Sequence, residues 1–174
     1  MSQLGTGLYA TDHHEDASSV QEAALAMLRR VGAPEDDILV VQASLANTYQ
    51  ALGRFQQALQ LERNVYHGSS RLHGKEHGNT LIVASNYADS LGSLKRFEEA
   101  KSVLREVIPV ARRVLGENDE TTLRMRWYYA EALYNDPGAT LDDLRETVTT
   151  LEEIERIARR VLGGAHPLTS AFER

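Results

Sequence analysis

The chain has 174 residues, with 19 Lys or Arg against 25 Asp or Glu and a formal net charge of −6. That balance argues against the concentrated basic face of a general nucleic-acid binder and against attraction to an anionic membrane surface. The absence of cysteine excludes a disulfide framework and a thiolate zinc site. Gly and Pro are sparse and good helix formers dominate, so the composition predicts a compact, mostly helical chain. No run approaches the roughly 18 apolar residues of a membrane span, and no basic stretch leads into an apolar leader. A soluble, cytoplasmic protein is expected.

In chain order, residues 1–17 read as a disordered tail. Residues 18–31 read as an amphipathic capping helix, opened by a capping box of Ser19 and Glu22. Gly32 then begins a periodic stretch. Gly32, Gly74, Gly116 and Gly163 each follow a similar phrase, at successive spacings of 42, 42 and 47 residues. Sliding the first block onto the second aligns Leu39 with Leu81, Ala46 with Ala88, Leu52 with Leu94, and Arg54-Phe55 with Arg96-Phe97. Ala58 falls on Ala100, Arg63 on Arg105 and Val65 on Val107. Self-similarity at this period is the mark of a repeat architecture.

Each block carries two apolar periodicities of helical type. In repeat 1 (32–73) the first helix shows Ile38, Val41, Leu45, Tyr49 and Leu52. The second shows Phe55, Ala58, Leu61, Val65 and Leu72. Repeat 2 (74–115) repeats the pattern, with tight turns expected at Gly53-Arg54 and Lys95-Arg96. Pro109 falls inside the second helix of repeat 2, where a missing N–H predicts a kink or interruption. Repeat 3 (116–162) carries an inserted loop near 136–140 and restarts at Thr140, whose following acid Asp143 reads as a cap. Its second helix has Leu144, Val148, Ile154 and Val161 on the apolar side, with Thr147 where an alanine would pack. Residues 163–174 begin a truncated fourth repeat, so an exposed terminal face able to self-associate is expected. The expected architecture is an all-α solenoid of helical hairpins, one domain over 18–174, wound as a right-handed superhelix.

The repeated phrase resembles the tetratricopeptide repeat, in the long-period form of the kinesin light chains. It is carried by Gly74-Lys-Glu-His77-Gly-Asn-Thr80-Leu81, Asn86-Tyr87-Ala88, Lys95-Arg96-Phe97 with Glu99-Ala100, and Arg112-Arg113-Val114-Leu115-Gly116. The resemblance spans residues 32–170, strongly in two repeats and less closely in the third. It implies a non-catalytic scaffold or adaptor that binds a protein or peptide segment in a concave groove lined by the first helices.

Projecting the repeat register places Val40, Ala43, Asn47 and Gln50 on that inner face in repeat 1. Repeat 2 contributes Ile82, Ser85, Asp89 and Ser93, and repeat 3 contributes Arg124, Trp127, Glu131 and Asn135. Trp127 would supply an aromatic anchor, Asn47 would hold peptide backbone, and Arg124 and Glu131 would select charge. The competing reading has Trp127 packed between helices and the polar row merely solvated. No nucleophile–base pair and no phosphate-cradling Gly-rich loop is present, so no enzyme activity and no cofactor are expected. His13-His14 lie in a stretch without preorganised geometry, and His77 and His166 share an inter-repeat position, so no metal is expected either.

Overall fold

The computed structural model describes the backbone of residues 3–161 and the side chains of residues 13–161; the truncated fourth repeat, with His166, lies outside the described residues. Every element among them is a helix: α1 (Gln3–Val31), α2 (Glu35–Ala51), α3 (Phe55–Leu72), α4 (Gly78–Ser93), α5 (Phe97–Val114), α6 (Glu120–Asn135) and α7 (Leu141–Val161). Two compact units follow one another, residues 1–74 and 75–174.

In the first unit α1 packs on α2 and α2 on α3. Leu25, Leu45, Tyr49 and Ala58 form the buried cluster, with Ile38, Val41 and Leu61 packed against it. The expected capping box does not form. α1 begins at Gln3, and the hydroxyls of Ser18 and Ser19 donate back to the Glu15 carbonyl at 2.8 and 3.1 Å, as mid-helix serines do. Glu22 is therefore released from a capping role and accepts instead from the Tyr49 hydroxyl at 2.8 Å, tying α1 to α2. Arg54, at the start of α3, makes two hydrogen bonds to Glu15 and sits over the Tyr49 ring. Gly68 lets α3 approach α2 closely, because a Cβ there would lie 2.7 Å from a Leu39 methyl.

In the second unit α4 packs on α5 and α6, α5 on α6, and α6 on α7. Leu81, Leu91, Leu104, Leu123, Met125, Leu133 and Ile154 are the large side chains at its centre, with Ala84, Ala88, Ala100, Ala111 and Ala130 where helices come close. The two inter-helix turns match bond for bond. Gly53 N–H donates to Gln50 O at 2.9 Å and Arg54 N–H to Tyr49 O at 2.8 Å. Forty-two residues on, Lys95 N–H donates to Gly92 O and Arg96 N–H to Leu91 O, both at 2.8 Å. This is the Schellman arrangement, which needs a left-handed residue just past the helix. Gly53 supplies it at φ 72°, and Lys95 adopts the same region at φ 58°.

The third hairpin closes differently because of its insertion. Asp136 leaves the helix in extended conformation, and its carboxylate accepts from Gly138 N–H at 2.8 Å. Buried Lys101 of α5 pairs with that carboxylate at 2.5 Å and with Glu98 at 2.6 Å. Thr140 and Asp143 cap α7 reciprocally, each accepting from the other's backbone N–H, at 3.2 and 2.8 Å. Thr147 is buried and donates to the Asp143 carbonyl, so its hydroxyl is satisfied at the place where the repeat pattern puts alanine.

Of the kink or interruption expected at Pro109, the interruption does not occur: α5 continues through it from Phe97 to Val114. On α7, Ile154 and Ala158 are fully inside, whereas Leu144, Val148 and Val161 are exposed. α7 packs chiefly on α6, so the flank turned away from α6 has no described helix against it.

Candidate interaction surface

Within the first unit, the candidates on α2 divide. Val40 and Asn47 are exposed and Ala43 is half-buried. Gln50 turns toward α3, where its amide donates to Glu62 Oε1 at 2.7 Å, so part of its hydrogen-bonding capacity holds the hairpin together.

Within the second unit, α4 and α6 lie side by side. Helical spacing brings Asp89 and Ser93 on α4 together with Glu131 and Asn135 on α6 around one small cavity of about 80 Å³. Ala88 and Ala132 are buried beneath it, Phe97 at the start of α5 closes one end, and Ser93, Glu131 and Asn135 form an exposed rim. Tyr128 completes the wall. Neither Phe97 nor Tyr128 was among the residues projected onto this face. Phe97 belongs to the core pattern of α5, and Tyr128 occupies the register of Asn86. Its spacing, four residues after Arg124 and three before Glu131, is the signal that could have found it.

The electrostatics are specific. Arg124 Nη2 donates to the Tyr128 hydroxyl at 3.1 Å and the guanidinium lies 5.8 Å from the ring centroid. The Tyr128 hydroxyl and the Arg124 guanidinium both lie near enough to Asp89 to favour its charged form. Burial raises the Asp89 pKa above the usual carboxylate range, although the Arg124 charge and the Tyr128 bond act in the other direction. Glu131 is also raised, first by partial desolvation and then by the negative charge of Asp89. Burial works against the Arg124 charge, but Tyr128 and Asp89 outweigh it and raise that pKa as well. Asp89 thus faces the Arg124–Tyr128 pair, which favours its charged form against burial. Glu131 has no hydrogen-bond or ion-pair partner among the described residues.

The remaining candidates are placed as follows. Ser85 is corrected: it is 1% exposed, its hydroxyl has no hydrogen-bond partner, and it offers nothing to a ligand at the surface. The physical reason is that it lies one helical turn before Ala88 and Asp89, on the side of α4 that packs inward. Ile82 is 47% exposed. Trp127 is half-buried and stacks on Tyr128 with centroids 5.8 Å apart, behind the cavity wall and outside its lining. Among the described residues no cluster of three or more His, Asp or Glu could hold a metal ion, and no helix is long and apolar enough to cross a membrane.

Paired antiparallel helices, repeated at 42 residues and joined by equivalent turns, define an all-α helical repeat. Residues 39–79 and 80–120 match the family model of the tetratricopeptide repeat, and these segments of the chain are tetratricopeptide repeats. The fold is shared with two crystal structures of a Podosopora anserina protein described as a kinesin light chain with nearly identical TPR-like repeats. One, a point variant, is 22% identical, with 99% of this chain and 80% of that chain covered and a TM-score of 0.76. The other is 23% identical, with 99% and 81% covered and a TM-score of 0.74. BtubC (BKLC) from P. vanneervenii is more distant, at 17% identity, 89% and 76% coverage and a TM-score of 0.56. No curated protein matches the sequence.

Proposed function

We propose that the chain is a non-catalytic interaction module, a scaffold or adaptor in the cytoplasm, that holds a segment of another protein against α4 and α6. Tetratricopeptide repeats are generally protein-interaction modules, and helical solenoids present extended surfaces to partners. One observation carries the finer reading: a small cavity bears two carboxylates, one of them without a partner and both raised in pKa. A lysine or arginine of the bound segment would relieve the repulsion between Asp89 and Glu131, lay its aliphatic stem on Phe97, and find Ser93 and Asn135 at the rim. Asn47 and Val40, exposed on α2, are available to a partner in the first unit. The net charge of −6 favours such basic segments and disfavours nucleic acid.

The test is titration of the whole chain with a fluorescein-labelled Ala–Lys repeat peptide and an Ala–Gln repeat of equal length. The Ala–Lys peptide binds, and Glu131→Gln weakens it about tenfold, the loss of roughly 1.4 kcal/mol. Equal binding of the two peptides, or no change in the variant, would remove the cavity from the binding surface.

A second reading, self-association, is favoured by the exposed Leu141, Leu144 and Val148 of α7. It predicts sedimentation that depends on concentration and is abolished by Val148→Lys.

A further inference from the structure

A second and larger cleft lies in the second unit, walled by α5, α6 and α7 rather than by α4 and α6. Its volume is about 450 Å³, and it is lined by Arg105, Ile108, Pro109 and Arg112 of α5, Arg126 and Tyr129 of α6, and Glu146, Thr149, Thr150 and Glu153 of α7. Two of its three arginines are committed. Arg126, 5% exposed, is ion-paired to Glu153, and Arg112 is paired to Glu117 at 3.1 Å. Arg105 is different. Its Nε donates to the Tyr129 hydroxyl at 3.1 Å and its guanidinium sits 5.7 Å from that ring centroid, which fixes the plane of the group. No carboxylate of the described residues lies within ion-pairing distance of it.

We infer that this cleft docks an acidic segment of a partner protein, with one Asp or Glu side chain received by Arg105. The guanidinium has two terminal nitrogens in a fork that matches a carboxylate, and Tyr129 holds the fork in place. Glu117 and Glu153 neutralise Arg112 and Arg126, so Arg105 is the one cation of the lining left to receive a single carboxylate, and no second uncompensated cation stands beside it for a phosphate dianion. Thr149 and Thr150 line the same space, the Thr149 hydroxyl donating to the Arg145 carbonyl at 3.0 Å. Pro109 contributes a further feature. Having no N–H, it cannot donate to the Arg105 carbonyl one turn earlier, and its ring joins the apolar part of the wall with Ile108. One repeat earlier Arg63 stands at the Arg105 register, but His67 replaces Pro109 and Ser70 replaces Arg112, so this combination belongs to the second unit.

The experiment titrates the whole chain with a fluorescein-labelled Ala–Glu repeat peptide, an Ala–Gln repeat, and inorganic phosphate as competitor. At 0.15 M salt, charges more than about 8 Å apart are largely screened, so the chain's net charge does not mask a local site. The Ala–Glu peptide binds and the Ala–Gln peptide does not. Arg105→Gln weakens binding about tenfold, and Arg105→Lys retains part of it. Glu146→Gln, which removes a wall carboxylate without touching Arg105, tightens binding about twofold to fivefold. Glu131→Gln leaves it unchanged, which separates this cleft from the Asp89–Glu131 cavity. Equal binding of the two peptides, an unaffected Arg105→Gln variant, or displacement of the peptide by phosphate below millimolar concentration would each overturn the assignment.

Discussion

Lys95→Gly should stabilise the second unit, and Gly53→Lys should destabilise the first by a similar amount. Both residues occupy the left-handed position of the same Schellman turn, at φ 58° and 72°. A side chain in that region costs about 1–2 kcal/mol through the contact of Cβ with the following carbonyl. Glycine avoids this but loses about 0.5–1 kcal/mol more chain entropy on folding. The net gain for Lys95→Gly is therefore about 0.5–1 kcal/mol. No lost contact offsets it, since Lys95 is exposed and no ion pair or hydrogen bond of its side chain is present. The cost of Gly53→Lys is likewise conformational, because a Cβ there meets nothing within 4 Å. Urea denaturation reads both. Trp127, the single tryptophan, lies in residues 75–174 and reports the second unit by fluorescence, while circular dichroism follows all helices. If Lys95→Gly left the urea midpoint unchanged or lowered it while Gly53→Lys had no effect, the turn would not be under strain and the argument would fail.

Asp119→Ala should cost about 1 kcal/mol, because the Asp119 carboxylate accepts from Thr121 N–H at 2.8 Å and from Thr122 N–H at 3.4 Å at the start of α6; a thermal midpoint within error of the parent would contradict this. The Lys101 bond, together with that from Gly138 N–H, holds the Asp136 carboxyl at about 2, below its ordinary value of 3.8. A depressed folded-state pKa contributes stability that is full above about 4 and disappears as pH falls through about 2. Acid titration of the parent should therefore show a loss in that window that Asp136→Asn does not share. Glu131 has the opposite sign. Its pKa is raised in the folded state, so its ionisation opposes folding at neutral pH. Glu131→Gln should raise the thermal midpoint at pH 7, with the difference shrinking as the carboxyl is protonated in acid. A lowered midpoint would show that the carboxylate has a structural role instead.

Much of the fold was legible along the chain. The 42-residue step, the two helices per block, the turn positions at Gly53 and Lys95 and the cap at Thr140 all rest on interactions between residues close in sequence. The failures have a common cause. Ser19 followed by Glu22 satisfies the local pattern of a capping box, but Tyr49, twenty-seven residues away from Glu22, takes the carboxylate. Pro109 satisfies the local rule for a break, yet the helix around it is held by buried Leu104, Val107 and Ala111.

The candidate surface divides along the same line. Register arithmetic places Asp89, Ser93, Glu131 and Asn135 on corresponding turns of successive first helices, and those four do surround one cavity. The same arithmetic could not see that Ser85 turns inward, that Gln50 is drawn to Glu62, or that Tyr128 accepts from Arg124 in the wall of the cavity that Asp89 lines. By itself the sequence determined the period, the helices and the joints, because helix propensity, capping and turn geometry act over a few residues. Which polar groups meet, which remain without a partner, and which arginine is left without a carboxylate were decided by the tertiary structure, because burial and charge pairing depend on how helices distant in sequence pack together.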